Sequence, residues 1–267
     1  LDCESNQLTS LDLSNSSGIT WLFVGLNQLT ALDVSNLTQL ALLSCTDNQL
    51  NSLDVSKCTG LSILYCSRNP LGKLDVSKNT QLQTLWCLDN GLTQLDVRKC
   101  TGLMSFICDG NQLTELDVTR NTKLSTLGCS GNPLGKIDVT LLESLQNFYC
   151  NDAGLTELDL SKNINLKYLQ CKDNQLTSLD LSQNTALYGV STDTVLKELD
   201  VTATEYIPVN RLAAVGNGFV GITASTSKLG WTYVLTAAAG EGAKFTGWYS
   251  DKECTKLITA DETVTIT

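Results

Sequence analysis

Histidine is absent from these 267 residues, methionine occurs once and proline only three times. Without an imidazole there is no Ser-His or Cys-His nucleophile system, and the commonest general base is missing. Positive charge is scarce: 18 Lys and Arg face 28 Asp and Glu, for a net charge of −10. That balance argues against a nucleic-acid partner, since phosphate binding needs clustered Lys and Arg. No apolar run approaches the roughly 18 residues of a membrane-spanning helix, so this segment is not expected to insert into a bilayer. The chain opens at Leu1, inside a repeat and without a Met, and so says nothing about a leader, a cap or a wall anchor. Apolar residues make up 42% of the chain, enough to bury a core.

A four-residue phrase, Leu-Asp-Val-Ser or a close variant, returns every 21 residues. Its Asp falls at Asp12, Asp33, Asp54, Asp75, Asp96, Asp117, Asp138, Asp159 and Asp180, then one residue early at Asp200. A fixed short period this rich in leucine means one structural unit stacked many times. In the unit that begins at Leu82, Leu85 and Cys87 alternate with Trp86, the signal of a short strand with one buried face. Leu95 and Val97 alternate around Asp96, so the return leg is extended as well. Only about 21 residues close each coil, too few for a full outer helix. The reading is a leucine-rich repeat solenoid, horseshoe-like, of about ten coils over residues 1–203. It has a parallel sheet on its concave face, extended or turning return legs (a 3₁₀ turn at Ser-x-Asn-Thr among them) and little α-helix.

Two polar files run through the pattern. Asn6, Asn27, Asn48, Asn69, Asn90, Asn111, Asn132 and Asn174 stand where the chain must turn. An amide there can satisfy backbone groups of its own and the adjoining coil. Ala153 takes the Asn place once, which predicts a looser turn at Asp152-Ala153-Gly154. The repeated Asp of the return leg is expected to accept backbone N–H groups at a turn. A calcium ladder is the weaker alternative, because no second carboxylate recurs at a matching position.

Eight of the eleven cysteines, Cys3, Cys45, Cys66, Cys87, Cys108, Cys129, Cys150 and Cys171, fill one column, and Val24 fills its single gap. In-register strands hold equivalent Cβ atoms roughly 4.8 Å apart, whereas a disulfide wants about 3.8 Å and converging vectors. The column is therefore expected to be a file of buried, reduced, unreactive thiols. Cys58 and Cys100 share a second column two coils apart, too far to bond, and Cys254 stands alone. With no CxxC and no His, neither a metal nor a cofactor is expected.

The pattern L-x-x-L-x-C-x-x-N-x-L-T-x-L-D-V-S-x-N-T, as in Leu61, Cys66, Asn69, Leu71 and Leu74 to Ser77, resembles the 21-residue repeats of bacterial surface proteins. Its cysteine column is similar to one found in the internalin group of Listeria leucine-rich repeat proteins. The resemblance covers about residues 1–203. It implies a curved right-handed solenoid on a secreted or wall-attached protein used in adhesion, without implying a particular ligand. From Thr204 the repeat stops, and Thr204 to Pro208 reads as a linker. β-forming stretches follow at Phe219–Ala224, Trp231–Ala238, Lys244–Tyr249 and Leu257–Thr267. The phrase Phe245-Thr-Gly-Trp248-Tyr249 is similar to the Listeria–Bacteroides repeat, or internalin B-repeat, a family of small β-grasp-like modules. Residues 204–267 are accordingly expected to form a β-rich module. An unrelated small β module is the alternative.

Between the inward Leu and Cys of each strand, side chains should point out of the concave face. Trp21, Phe23, Tyr65, Trp86, Tyr149 and Tyr168 fall there, six of the chain's sixteen aromatics. Large rigid side chains of this kind are enriched at interface hot spots, although aromatics also favour strands for packing alone. Beside them runs an acidic rim that includes Asp47, Asp89, Asp152 and Asp173, which would steer cationic partners or simply stay solvated. Residues 1–203 hold 22 acidic and 13 basic residues, a net −9, so nearly all the charge asymmetry lies in the repeats. These features are read as a monomeric, non-enzymatic extracellular or cell-wall-associated module. Its concave face would bind a host or cell-surface protein. Glycan capture by Trp21, Tyr65 and Trp86, or a passive spacer, are the alternatives.

Overall fold

The computed structural model describes residues 1–192 and, beyond them, strand backbones at 198–200, 211–213, 218–227, 230–239, 248–249, 257–259 and 263–266. The sequence repeat becomes a stack of coils, each contributing one three-residue strand: β1 Trp21–Phe23, β2 Leu42–Ser44, β3 Ile63–Tyr65, β4 Thr84–Trp86, β5 Ser105–Ile107, β6 Thr126–Gly128, β7 Asn147–Tyr149 and β8 Tyr168–Gln170. After β9 (Ser178–Asp180) on a return leg, β10 (Gly189–Ser191) ends the series. Strands β1 to β8 and then β10 pair in parallel, each residue with the one 21 positions along, and an isolated bridge from Asp2 to Phe23 adds the first coil. A slip of one residue would turn the leucines outward, so the hydrophobic pattern fixes the register. No helix occurs among the described residues.

The interior is a set of files. Leu22, Leu43, Leu64, Leu85, Phe106, Leu127, Phe148 and Leu169 are buried from the strands, and Val34, Val55, Val97, Val118 and Val139 from the return legs. Each such side chain contributes roughly 1.5–3 kcal/mol by leaving water. The cysteine column lies among them, buried from Cys45 to Cys171 and only half-buried at Cys3. All ten described cysteines are free. Desolvation raises the thiol pKa along the column, to about 12 at Cys66, which keeps the sulfur protonated and unreactive.

The asparagine file carries the turns. Asn111 shows the full set: Oδ1 accepts the N–H groups of Asn90 at 3.1 Å and Leu92 at 3.0 Å, while Nδ2 donates to the carbonyls of Cys87 at 2.9 Å and Cys108 at 2.8 Å. One amide thereby satisfies two donors and two acceptors that burial would otherwise leave unpaired. Asn174 does likewise for Ala153, Leu155, Cys150 and Cys171. The looser turn expected at Asp152-Ala153-Gly154 does not occur. Asp152 keeps the left-handed φ of its counterparts (49°), its N–H donates to the Lys172 carbonyl at 2.8 Å, and Ala153 is fully buried. The bonds from neighbouring coils hold the turn after its own amide is lost.

A second asparagine file, the Asn of the Ser-x-Asn-Thr turns, lies at the outer corner. Asn79, Asn121, Asn163 and Asn184 are fully buried, and each Nδ2 donates to two carbonyls of the preceding coil, as Asn79 does to Val55 at 3.0 Å and Cys58 at 2.9 Å. Cys58 and Cys100 occupy the same file, with their thiols 3.5 and 3.7 Å from the carbonyls of Val34 and Val76. They act there as weak donors in place of an amide. The corner itself is formed by consecutive single turns of the i to i+3 kind expected at Ser-x-Asn-Thr, Asn79 N–H to Val76 O and Leu82 N–H to Asn79 O.

Beyond the repeats, the backbone at 218–227 joins the concave sheet antiparallel to β10, followed by 230–239 and 263–266. Short strands at 248–249 and 257–259 pair with each other. The linker at Thr204–Pro208, the boundary at residue 203, Cys254 and most of the Phe245–Tyr249 phrase lie outside the described residues.

Two measurements check this interior. Titrating thiols in denaturant without reductant should return all ten described cysteines as free thiols, and a deficit of two or more would mean bridges within the stack. Asn111→Ala should cost about 2–4 kcal/mol in chemical denaturation, since it strands several buried backbone groups. A loss below about 0.5 kcal/mol, the range of an ordinary surface change, would show that the amide is dispensable.

Candidate binding surface

The outward file of the concave sheet runs Phe23, Ser44, Tyr65, Trp86, Ile107, Gly128, Tyr149, Gln170 and Ser191, each paired in register with the next. Trp21 and Tyr168 stand in the flanking file, in register with Leu42 and Asn147. All six expected aromatics thus lie on strands of one sheet, with the inward residue between them buried. Trp21 and Trp86 are the most open, at 61% and 42%, and the other four are half-buried.

The aromatics form two plates. Tyr65 and Trp86 meet with ring centroids 4.8 Å apart at a tilt of 53°, and Tyr149 and Tyr168 at 5.9 Å and 57°. Such tilted pairs add about 0.5–1.5 kcal/mol beyond area burial. The Trp86 indole N–H donates to Ser105 Oγ at 3.0 Å, which satisfies its one polar atom and holds its apolar face in place. Ile107 and Gly128 occupy the two positions between the plates.

The acidic rim has a backbone cause. Asp47, Asp89, Asp152 and Asp173 all have φ between 49° and 57°, and Gly110 and Gly131 fill the same place in their coils at 66° and 63°. The turn demands a left-handed residue just before the Asn file. Asp and Gly tolerate that conformation better than most residues. Leu26 and Arg68 hold it without that advantage. Arg68 Nη2 reaches Asp47 Oδ2 at 2.6 Å, which lowers the Asp47 pKa.

Asp109 belongs one position earlier, and its environment is different. Its Oδ1 accepts the Ser130 N–H at 2.7 Å, and it leans over Gly128. Burial raises its pKa to about 6, opposed by the Ser130 hydrogen bond and reinforced by the Asp89 charge. The return-leg carboxylates behave in the opposite way. Each Oδ1 accepts from the residue two positions on. Asp138 takes the Thr140 hydroxyl at 2.6 Å and its N–H at 2.9 Å, and the pKa falls because both bonds favour the charged form. Asp96 drops to about 2, with Arg98 as the main cause. These carboxylates line a groove of about 1240 Å³ over Leu95, Leu116, Ile137 and Leu158 on the return-leg side, away from the aromatic strip. Among the described residues no group of three or more His, Cys, Asp or Glu is arranged to hold a metal. No helix there is long and apolar enough to cross a membrane.

No family model matches the chain, and no curated protein matches it in sequence. Solved structures do. The functional domain of InlJ from Listeria monocytogenes, described as including a cysteine ladder, superposes with a TM-score of 0.67 at 40% identity. The alignment covers 78% of this chain and 51% of that one. This chain carries a leucine-rich repeat solenoid of the internalin type. It spans about half the length of that domain. The Leptospira interrogans leucine-rich repeat protein LIC12759 gives 0.66 at 24% identity over 73% of this chain and 54% of its own. The internalin InlF of Listeria monocytogenes gives 0.56 at 19% over 75% and 67%. Both show the fold alone. The internalin-type solenoid is a scaffold typically used for protein interaction, and its shared feature with InlJ is the thiol file.

The raised pKa of Asp109 has a testable consequence. A carboxyl whose folded pKa lies above the unfolded value of about 3.9 contributes stability that is fully present below that value and lost as pH rises through about 6. Asp109→Asn can keep the Ser130 hydrogen bond and remove the charge. It should raise stability at pH 7.5 by about 1–2 kcal/mol, after discounting for partial exposure, and change it little at pH 4. Denaturation at the two pH values checks this, and equal effects at both would refute it.

Proposed function

We propose that this chain is an extracellular or wall-associated binding module whose concave face holds a protein partner through the Tyr65–Trp86 and Tyr149–Tyr168 plates. The single observation that carries the reading is Trp86: a large apolar face 42% exposed on a sheet, its only polar atom already bonded to Ser105. A rigid, pre-satisfied aromatic gives contact area at little entropic cost. Trp21 and Phe23 extend the apolar strip towards the first coil, and the rim carboxylates Asp47, Asp89, Asp152 and Asp173 set its charge preference. The internalin-type scaffold supports the surface setting. Catalysis has no place in this reading, because the sequence offers no imidazole and its described thiols, apart from half-buried Cys3, are buried.

Glycan stacking on Trp21, Tyr65 and Trp86 is the competing reading, since Trp21 and Trp86 both keep an exposed face. The test is binding of wild type and Trp86→Ala/Tyr149→Ala to a panel of purified host cell-surface proteins and to a glycan array. A protein ligand should be captured by the wild type and bound roughly 1000-fold more weakly by the double variant, at hot-spot values of about 2 kcal/mol each. The parallel-sheet circular dichroism should be retained. Undiminished binding by the variant, or hits confined to the glycan array, would overturn the proposal.

A further inference from the structure

The two aromatic plates are separated by Ile107 and Gly128, and the second of these has no side chain. A Cβ at Gly128 would lie 2.9 Å from Asp109 Oδ1 and 3.0 Å from two carbons of Ile107. The bare glycine is therefore what lets the Asp109 carboxylate lean into the concave file. One coil earlier, a Cβ at Gly110 would collide with Asp89 Oδ1, so a second carboxylate approaches the same region by the same device. On one side stands Trp86. On the other stands Tyr149, whose pKa is raised by burial first and in smaller part by the Asp109 charge.

Asp109 is also short of compensation. Ser130 N–H occupies Oδ1, while Oδ2 has no hydrogen-bond partner among the described residues. The ion pairs there, Arg68–Asp47 and Arg98–Asp96, leave Asp109 without a cation, while Asp89 feels the Arg68 charge. A half-buried carboxylate with a free oxygen at the centre of an aromatic-walled strip is complementary to a positive side chain. The walls add cation–π attraction, stronger the more the cation is desolvated.

We propose that Asp109 determines the specificity of the concave face, by receiving a cationic side chain of the partner in the low point over Gly128, between the two aromatic plates. The inference rests on the concave-face reading and names the chemistry at its centre. The groups that face Asp109 are Asp89 from the preceding coil, Ser130 and Tyr149 from the following ones, and the protonated Cys87, Cys108, Cys129 and Cys150 thiols of the column. None supplies positive charge.

The probe is N-acetyl-arginine amide, with N-acetyl-citrulline amide as the neutral isostere, titrated into the full chain while the Gly128 and Ser130 amide resonances are followed by NMR. At pH 7.5 the arginine derivative should shift both resonances saturably and the citrulline derivative should not. Affinity should fall about tenfold at pH 5, because a carboxyl titrating near 6 is then about nine-tenths protonated. Asp109→Asn should abolish the response, and Gly128→Ala should weaken it by displacing the carboxylate. Equal responses to the two probes, a response surviving Asp109→Asn, or one indifferent to pH would each overturn the inference. Retention of full partner affinity by Asp109→Asn would overturn it too, while loss of that affinity in Trp86→Ala/Tyr149→Ala kept the concave-face reading intact. An arginine response without any effect of the aromatic double variant on partner binding would sink that reading instead.

Discussion

Every coil of this protein has to turn within a stack, and the turn buries backbone donors and acceptors that no strand can satisfy. The asparagine amide resolves this, because it alone among short side chains offers two donors and a two-lone-pair acceptor in one plane. At Asn111 it ties the backbone of its own coil to that of the coil before. That reach locks the register the inward leucines set, and with it the rest of the interior: thiol lies over thiol in the buried column. The second file at Asn79, Asn121, Asn163 and Asn184 works through its donors alone: each Nδ2 reaches two carbonyls of the coil before, while each Oδ1 stays without a partner. The two files fasten most coils at both corners, with leucine, valine and cysteine filling the space between.

Cysteine suits such an interior because it is small, apolar and a weak hydrogen-bond donor. In the main column, Cys108 and Cys150 thiols approach the carbonyls of Gly128 and Gln170 at 3.3 Å, a contact that the valine at Val24 forgoes. At the outer corner, cysteine alternates with asparagine against the same kind of carbonyl. The likeness to InlJ, whose domain also includes a cysteine ladder, therefore concerns packing chemistry and not redox chemistry. The proposed binding surface lies on the outside of the strands, where the side chains face away from this constraint.

The acidic character of the protein has three separate physical origins, which act differently. Return-leg carboxylates cap turns and stay ionised well into acid. Rim carboxylates at Asp47, Asp89, Asp152 and Asp173 occupy a left-handed position that favours Asp and Gly whatever their charge. Asp109 is neither, for it is half-buried over a glycine in the concave aromatic strip, and burial holds its proton to near neutral pH. Turn chemistry thus accounts for 13 of the 28 acidic residues, nine on the return legs and four on the rim, and Asp109 stands apart from both sets.

The period, the inward leucines, the thiol file, the amide file and the placement of six aromatics were all legible in the order of residues, because each depends only on spacing once coils are in register. The return-leg Asp caps were legible for the same reason: the acceptor and its N–H lie two residues apart. Packing between coils settled whatever depends on neighbours 21 residues away. It held the turn at Ala153 through Asn174 and turned the outer-corner asparagines inward. It grouped the aromatics into two plates and leaned Asp109 over Gly128. A glycine in a repeat reads as a missing side chain. Only the folded stack shows which neighbour takes the vacated space, and the burial of that neighbour then sets its charge.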